Sequence, residues 1–232
     1  ALTDIKAVCK YVIIDNKLVP DKVIADPEFT KTMPAGVTAA TGMDAITHAV
    51  ESYISNMATP LTQYHSIKGL QIFHENLPKA VADGSNMDAR ENMMLGCIIA
   101  GFGFSNANLG LVHGIAHTLS AHFHLAHGMA NATVLPYVME YNADTCPEKM
   151  IELAKAIQLP VSGNPEEDKY SLSKELLRLT KELKIKTLSE QGIKEEDFDM
   201  IANDVLKEPV LNFNPKQGVT KDDVLAILKK AL

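Results

Sequence analysis

The chain has 232 residues, 46% of them hydrophobic and 22% charged, and its 22 Lys and Arg against 29 Asp and Glu give a net charge of −7. That length suits one large domain or one and a half, and the hydrophobic share supplies a substantial core. No Lys/Arg cluster with interleaved aromatics occurs, so nucleic acid is not an expected partner.

Along the chain, residues 10–14 (KYVII) and 22–25 (KVIA) are expected to be short strands around a turn at Asp15-Asn16. Two strands make no stable sheet alone, so they read as the severed edge of another domain. The opening residue is Ala1, inside what looks like a running element, and a fragment of something longer is expected. After Pro34 the pattern turns helical. Thr41 followed by Asp44 resembles a capping box. Helices are expected over 43–55, 61–82, 87–104, 109–121, 128–142, 147–157, 169–184 and 196–205, and from Thr220, whose Thr-Lys-Asp-Asp opening is a good N-terminus, to Leu232. Segments 158–168 and 207–219 hold the loop residues, with Glu166-Glu167-Asp168 as a solvated acidic patch. Gly101 and Gly103 follow no strand, so they read as close helix packing rather than a nucleotide loop.

Residues 92–139 contain no Asp, Glu, Lys or Arg, yet they hold five of the eight histidines: His113, His117, His122, His124 and His127. At the chain's average, about ten charges would fall in such a stretch, so it reads as the inside of a domain. Gly, Asn and His interrupt it too often for a membrane span, and no membrane partner is expected. Buried imidazoles without partners cost roughly 1–3 kcal/mol each, and a shared metal ion is the obvious remedy. The three cysteines, Cys9, Cys97 and Cys146, are unpatterned and no signal-peptide pattern opens the chain, so a reducing cytoplasm is the expected location.

Two pairs have ligand spacing. Asp44 and His48 stand at i and i+4, about 40° apart around a helix and about 6 Å along it. Ile46, Ala49, Val50 and Tyr53 cluster on the opposite face, which leaves Asp44, His48 and Glu51 on a polar face. A solvated face and a face lining a cleft are both open readings. His113 and His117 repeat the spacing amid Leu109, Leu111, Val112, Ile115, Ala116 and Leu119. Gly114 stands where a zincin helix has its Glu, which argues against that class. A carboxylate with imidazoles suits Fe(II), Zn(II), Mn(II) or Ni(II), and composition does not choose among them. His65 and His74, with no ligand-spaced neighbour in sequence, read as surface or core fillers.

Two long runs resemble a known family. Pro34-Ala-Gly-Val-Thr-Ala-Ala-Thr-Gly-Met-Asp44-Ala-Ile-Thr-His48-Ala-Val-Glu-Ser-Tyr53 resembles one signature of the iron-containing (group III) alcohol dehydrogenases, and Gly110-Leu-Val-His113-Gly-Ile-Ala-His117 through His127-Gly-Met-Ala-Asn131 resembles the other. The resemblance covers essentially the whole chain. It implies a mainly α fold: a helical-bundle metal-binding domain, the C-terminal half of a dehydroquinate synthase-like/iron alcohol dehydrogenase fold, over residues 31–232. Residues 1–30 would be residual strands of a missing N-terminal nucleotide-binding α/β domain.

The resemblance further implies metal ligands at Asp44, His48, His113 and His127, with His117 beside the metal as the catalytic residue that passes a proton outward. Ala126 stands where the family commonly has Pro before its last ligand. Phe104-Ser105-Asn106 also follows the family pattern, with Asn106 expected to support the site, and Phe213-Asn214-Pro215 is expected on the specificity loops. His122 and His124 are bystanders. The implied cofactors are Fe2+, with Zn2+ as the alternative, and NAD or NADP in the complete enzyme. The implied chemistry is hydride transfer between a small alcohol or aldehyde and the nicotinamide. Without its nucleotide domain the chain is expected to bind metal but not turn over. The family often forms dimers, so a homodimer is one assembly open to it. Two alternatives stand beside this reading: a stand-alone, non-catalytic helical metal-binding or dimerisation module, and a zinc-dependent polyol dehydrogenase of the same superfamily.

Overall fold

The computed structural model describes residues 2–4, 9–11, 13 and 15–232. Ten helices account for most of the described residues: α1 (Ala35–Ile54), α2 (Pro60–Ala82), α3 (Met87–Ala107), α4 (Leu111–Phe123), α5 (His127–Asn142), α6 (Pro147–Ala156), α7 (Pro165–Asp168), α8 (Ser171–Glu182), α9 (Phe198–Val205) and α10 (Lys221–Ala231). Two three-residue strands, β1 (Leu2–Asp4) and β2 (Cys9–Tyr11), pair antiparallel with Leu2 opposite Tyr11.

The front of the chain differs from expectation. β2 overlaps the expected 10–14 strand, of which residues 12 and 14 lie outside the described residues, but its partner is β1. Residues 22–25 form no strand, and a 3₁₀ turn at Asn16–Leu18 follows the expected Asp15-Asn16 turn. Apolar β-branched residues show strand propensity, but without a neighbouring edge the propensity is not realised. Val23, Ile24 and Phe29 are left exposed, Ile24 to 94%.

α1 begins at Ala35, eight residues before the expected start. The run Gly36-Val-Thr-Ala-Ala-Thr-Gly42 lacks the large apolar residues that make a helical period visible, yet Thr38, Ala39, Ala40 and Gly42 are buried. Their small size is what the packing needs: a Cβ on Gly42 would lie 2.1 Å from Leu77 Cδ1 of α2. The expected Thr41/Asp44 capping box does not form, because both residues are inside α1, where Thr41 Oγ1 donates to Val37 O. True capping boxes start α2 (Thr59 with Thr62) and α10 (Thr220 with Asp223), the second at the expected helix start.

α1 is the hub of the bundle and packs against α2, α3, α5 and α6, while α5 packs against α4, α8 and α10. One continuous core results, including Ile46, Val50, Leu70, Phe73, Leu111, Ile115, Leu119, Leu135, Met139 and Leu228. Of the two glycines read as packing positions only Gly103 is one: its Cβ would meet Ser66 Oγ at 2.5 Å, whereas Gly101 faces open space. Asp168 is not solvated. It is buried, accepts from Ser162 N, Ser162 Oγ and Gly163 N, and those bonds, led by the Ser162 amide, hold its carboxyl below the usual range. Among the described residues no single helix is long and apolar enough to cross a membrane.

Candidate metal centre

Three helices bring the predicted residues together. α1 contributes Asp44 and His48 one turn apart, α4 contributes His113 from its first turn, and α5 contributes His127 as its first residue. Asp44 Oδ1 lies 3.8 Å from His48 Nδ1, 3.7 Å from His113 Nε2 and 3.9 Å from His127 Nε2. Donor atoms of Asp44, His48 and His113 all lie within 4.8 Å of one another. Ligands about 2.0–2.2 Å from a tetrahedral centre sit about 3.3–3.6 Å from each other. The three distances from Asp44 Oδ1 exceed that separation by a few tenths of an ångström, and the set within 4.8 Å of one another holds Asp44, His48 and His113 without His127. One carboxylate and three imidazoles also fit a first-row divalent cation chemically.

The face that sequence left between solvent and cleft is half-buried at Asp44 and His48 and fully buried at Glu51. Glu51 Oε1 accepts from Val112 N at 2.7 Å, and Oε2 lies 2.6 Å from His113 Nδ1. Burial pushes its pKa up to about 7, against the pull of backbone N–H donors at Gly110 and Val112. Asn131 Nδ2 meets three of the cluster's donor atoms at once, 2.6 Å from Asp44 Oδ1 and 3.3 and 3.2 Å from the Nε2 atoms of His113 and His127.

His117 is buried one turn beyond His113. Its ring stacks on that of His127 at 5.5 Å, and its Nδ1 lies 3.1 Å from Glu208 Oε2. The side chain of Phe104 closes over His48, with ring centroids 4.4 Å apart. The bystanders lie apart: His122 pairs with Asp204 at 2.8 Å, and His124 ends α4 in the left-handed conformation at φ 55°. His74, a filler by sequence, meets Glu175 at 2.8 Å.

Asn106, the expected support, does other work, and Asn214 has a structural role at the start of α4. Asn106 donates to Phe102 O of its own helix and does not touch the cluster. Asn214, expected on a specificity loop, is buried and exchanges hydrogen bonds with Asn142 while accepting from Leu111 N. Asn131 and Glu208 were not identifiable as site residues from spacing, and Glu51 was placed only on the polar face of Asp44 and His48. The available signal for Glu51 was its position seven residues, two turns, after Asp44 on the same face. For Asn131 it was a polar residue four after His127 inside the charge-free stretch. Glu208 carried none.

Comparison with known proteins places this geometry. The Fe-containing alcohol dehydrogenase family, C-terminal, matches residues 38–232. The chain is 41% identical over 223 residues to a 1,3-propanediol dehydrogenase of Citrobacter freundii, covering 95% of this chain and 58% of that protein. It is 38% identical over 237 residues to an NADPH-dependent butanol dehydrogenase of Clostridium saccharobutylicum, covering 98% and 59% respectively. The crystal structure of a 1,3-propanediol oxidoreductase superposes with a TM-score of 0.86 at 39% identity, over 89% of this chain and 55% of that one. The chain thus spans a little under three fifths of the length of these relatives. By motif, fold and match across the helical bundle, it belongs to the Fe-containing alcohol dehydrogenase family and has the fold of that family's C-terminal helical domain.

Proposed function

We propose that the chain is the metal-binding catalytic domain of an NAD(P)-dependent alcohol dehydrogenase or aldehyde reductase acting on a small alcohol or aldehyde. Asp44, His48, His113 and His127 hold a divalent metal, Fe2+ in first place and Zn2+ as the alternative. The observation that carries this reading is the convergence of three imidazole nitrogens, from three helices, on Asp44 Oδ1 at 3.7–3.9 Å. A divalent cation supplies Lewis acidity toward an alcohol or carbonyl oxygen.

The chain's own residues supply the surroundings. Val112, Ile115, Ala116 and Leu119, all fully buried on α4, keep water from the inner side of the cluster. His117 is the proton-handling group: Glu208 holds Nδ1, which leaves Nε2 as the atom that would take up or release the substrate's proton, while a bound nicotinamide would supply the hydride chemistry. Asn131 steadies Asp44.

Residues 1–30 belong to the margin of a nucleotide-binding domain, which holds the NAD or NADP. The exposure of Leu18, Val19, Val23, Ile24 and Phe29 supports that reading, since apolar side chains at 63–94% exposure favour a partner surface. A reducing, cytoplasmic setting accords with Cys97 and Cys146 being free thiols.

The test is elemental analysis of the purified 232-residue chain together with an assay of alcohol oxidation. About one divalent ion per chain is expected, lost in Asp44→Ala and His127→Ala, with turnover only after fusion to a nucleotide-binding domain. Absence of bound metal in the unaltered chain would overturn the metal reading. Turnover by this chain alone would overturn the need for the second domain.

A further inference from the structure

α4 begins without a cap of its own. Gly110 occupies the N-cap position and offers no side-chain acceptor. The first N–H groups of a helix have no partner within it and need one elsewhere. Here both come from distant parts of the chain: Leu111 N donates to Asn214 Oδ1 at 3.4 Å, and Val112 N to Glu51 Oε1 at 2.7 Å. Glycine at 110 is what lets both acceptors in, since a Cβ there would lie 3.0 Å from Asn214 Oδ1 and 3.2 Å from Glu51 Oε1. The second oxygen of Glu51 lies 2.6 Å from His113 Nδ1, and the residue is 2% exposed, so water does not compete for either contact.

An ionised carboxylate only accepts hydrogen bonds. With Glu51 in its carboxylate form, which Val112 N favours by donating to it, Nδ1 of His113 carries the ring proton and Nε2 the lone pair. That lone pair lies on the side of Asp44 Oδ1, 3.7 Å away. Asn131 Nδ2 lies 3.3 Å from the same Nε2, and also 2.6 Å from Asp44 Oδ1 and 3.2 Å from His127 Nε2. The contact with Glu51 thus places the lone pair of His113 on Nε2, the nitrogen that faces Asp44.

We propose that Glu51 is the positioning residue of the metal centre: its buried carboxylate caps α4 from α1 and, through His113 Nδ1, fixes the tautomer and direction in which His113 offers Nε2 to the ion. This rests on the metal reading above. It adds a second, non-ligating carboxylate to the site, one helical face from Asp44, and makes the start of α4 and the ligand geometry a single unit. Such outer partners change metal affinity by about 10–100-fold when removed.

The experiment titrates the 232-residue chain with Co2+ against a chelator, beside thermal unfolding of the metal-free form. Glu51→Gln keeps an acceptor for Val112 N but loses the second acceptor, so Co2+ affinity is expected to fall 10–100-fold with a shifted visible Co2+ spectrum. Asn214→Ala removes the other acceptor at the same helix start and is expected to leave Co2+ affinity within about threefold, which separates positioning from capping. If Glu51→Gln binds Co2+ like the unaltered chain while His113→Ala does not bind, the proposal fails and the metal centre stands. If His113→Ala and Asp44→Ala also bind normally, the metal centre itself fails. Should Glu51→Gln not fold, ¹⁵N-imidazole NMR of the unaltered chain decides: an Nδ1–H tautomer at His113 supports the proposal, and an Nε2–H tautomer, as a protonated Glu51 would impose, overturns it.

Discussion

Asn131 Nδ2 lies 2.6 Å from Asp44 Oδ1, joining the first turns of α5 to the middle of α1 at the point where the imidazoles converge. Asn131 is completely buried and Asp44 only partly so. A hydrogen bond to a charged group contributes about 1.5–3 kcal/mol, less where solvent can reach the acceptor. Asn131→Ala is expected to lower metal-free stability by about 1–2 kcal/mol in urea unfolding and to weaken Co2+ binding about tenfold. Unchanged values on both measurements would remove Asn131 from the site.

His117 is expected to act on the proton and not on the metal. In the enzyme completed with its nucleotide-binding domain, His117→Ala should slow alcohol oxidation by about 10²–10⁴-fold while metal content by elemental analysis stays at the unaltered level. Loss of the metal in that variant would make His117 a ligand and sink the assignment.

Gly128, next to His127, is a contact glycine: a Cβ there would stand 2.6 Å from Ala40 O, a backbone atom that cannot swing aside. Gly128→Ala should push α5 off α1, costing about 1–3 kcal/mol as overpacking and loosening His127 from the cluster. Gly36, in the first turn of α1, has nothing within 4 Å of its would-be Cβ. Gly36→Ala is expected to stabilise by about 0.5–1 kcal/mol through backbone entropy and helix propensity. Chemical denaturation of both variants checks the pair, and similar signs for the two would contradict the packing argument.

The acid limb of stability should depend on Glu175. Arg178, and then His74, hold its carboxyl below the ordinary value of 4.5. A depressed folded-state pKa contributes stability that is complete above the unfolded value and is lost as pH falls through the folded one. The thermal midpoint is therefore expected to drop on acidification below about pH 4.5, and Glu175→Gln should flatten that slope while lowering the plateau at neutral pH. An identical pH profile for the variant would show that the Arg178–Glu175–His74 cluster carries no linkage.

The ligand spacing was present in the sequence because helical periodicity is local: Asp44 and His48, one turn apart, needed only the pitch of α1 to share a face. The charge-free stretch likewise marked α4 as interior, since ionised groups avoid burial without partners. The Thr220 start of α10 was legible because a capping box is complete within four residues. Thr41 and Asp44 had the same spacing but lie inside α1, because a small-residue helix start carries no apolar period to reveal it.

Residues whose meaning depends on a partner far along the chain were decided by the tertiary structure. Glu51 belonged by sequence to a polar face. It became a buried support only when the start of α4, 61 residues on, brought Val112 N and His113 against it. Asn131, 87 residues from Asp44, and Glu208, 91 from His117, are placed by helix packing and not by period. The sequence by itself determined the helical class and the i,i+4 pairs, consequences of local geometry, whereas the charge-free stretch is interior only in part: His113 and His117 are buried, but Leu95, Ile98, Phe102 and His124 are exposed. The fold alone decided that Glu51 meets Nδ1 of His113 and Glu208 meets Nδ1 of His117, because those partners are supplied across the core.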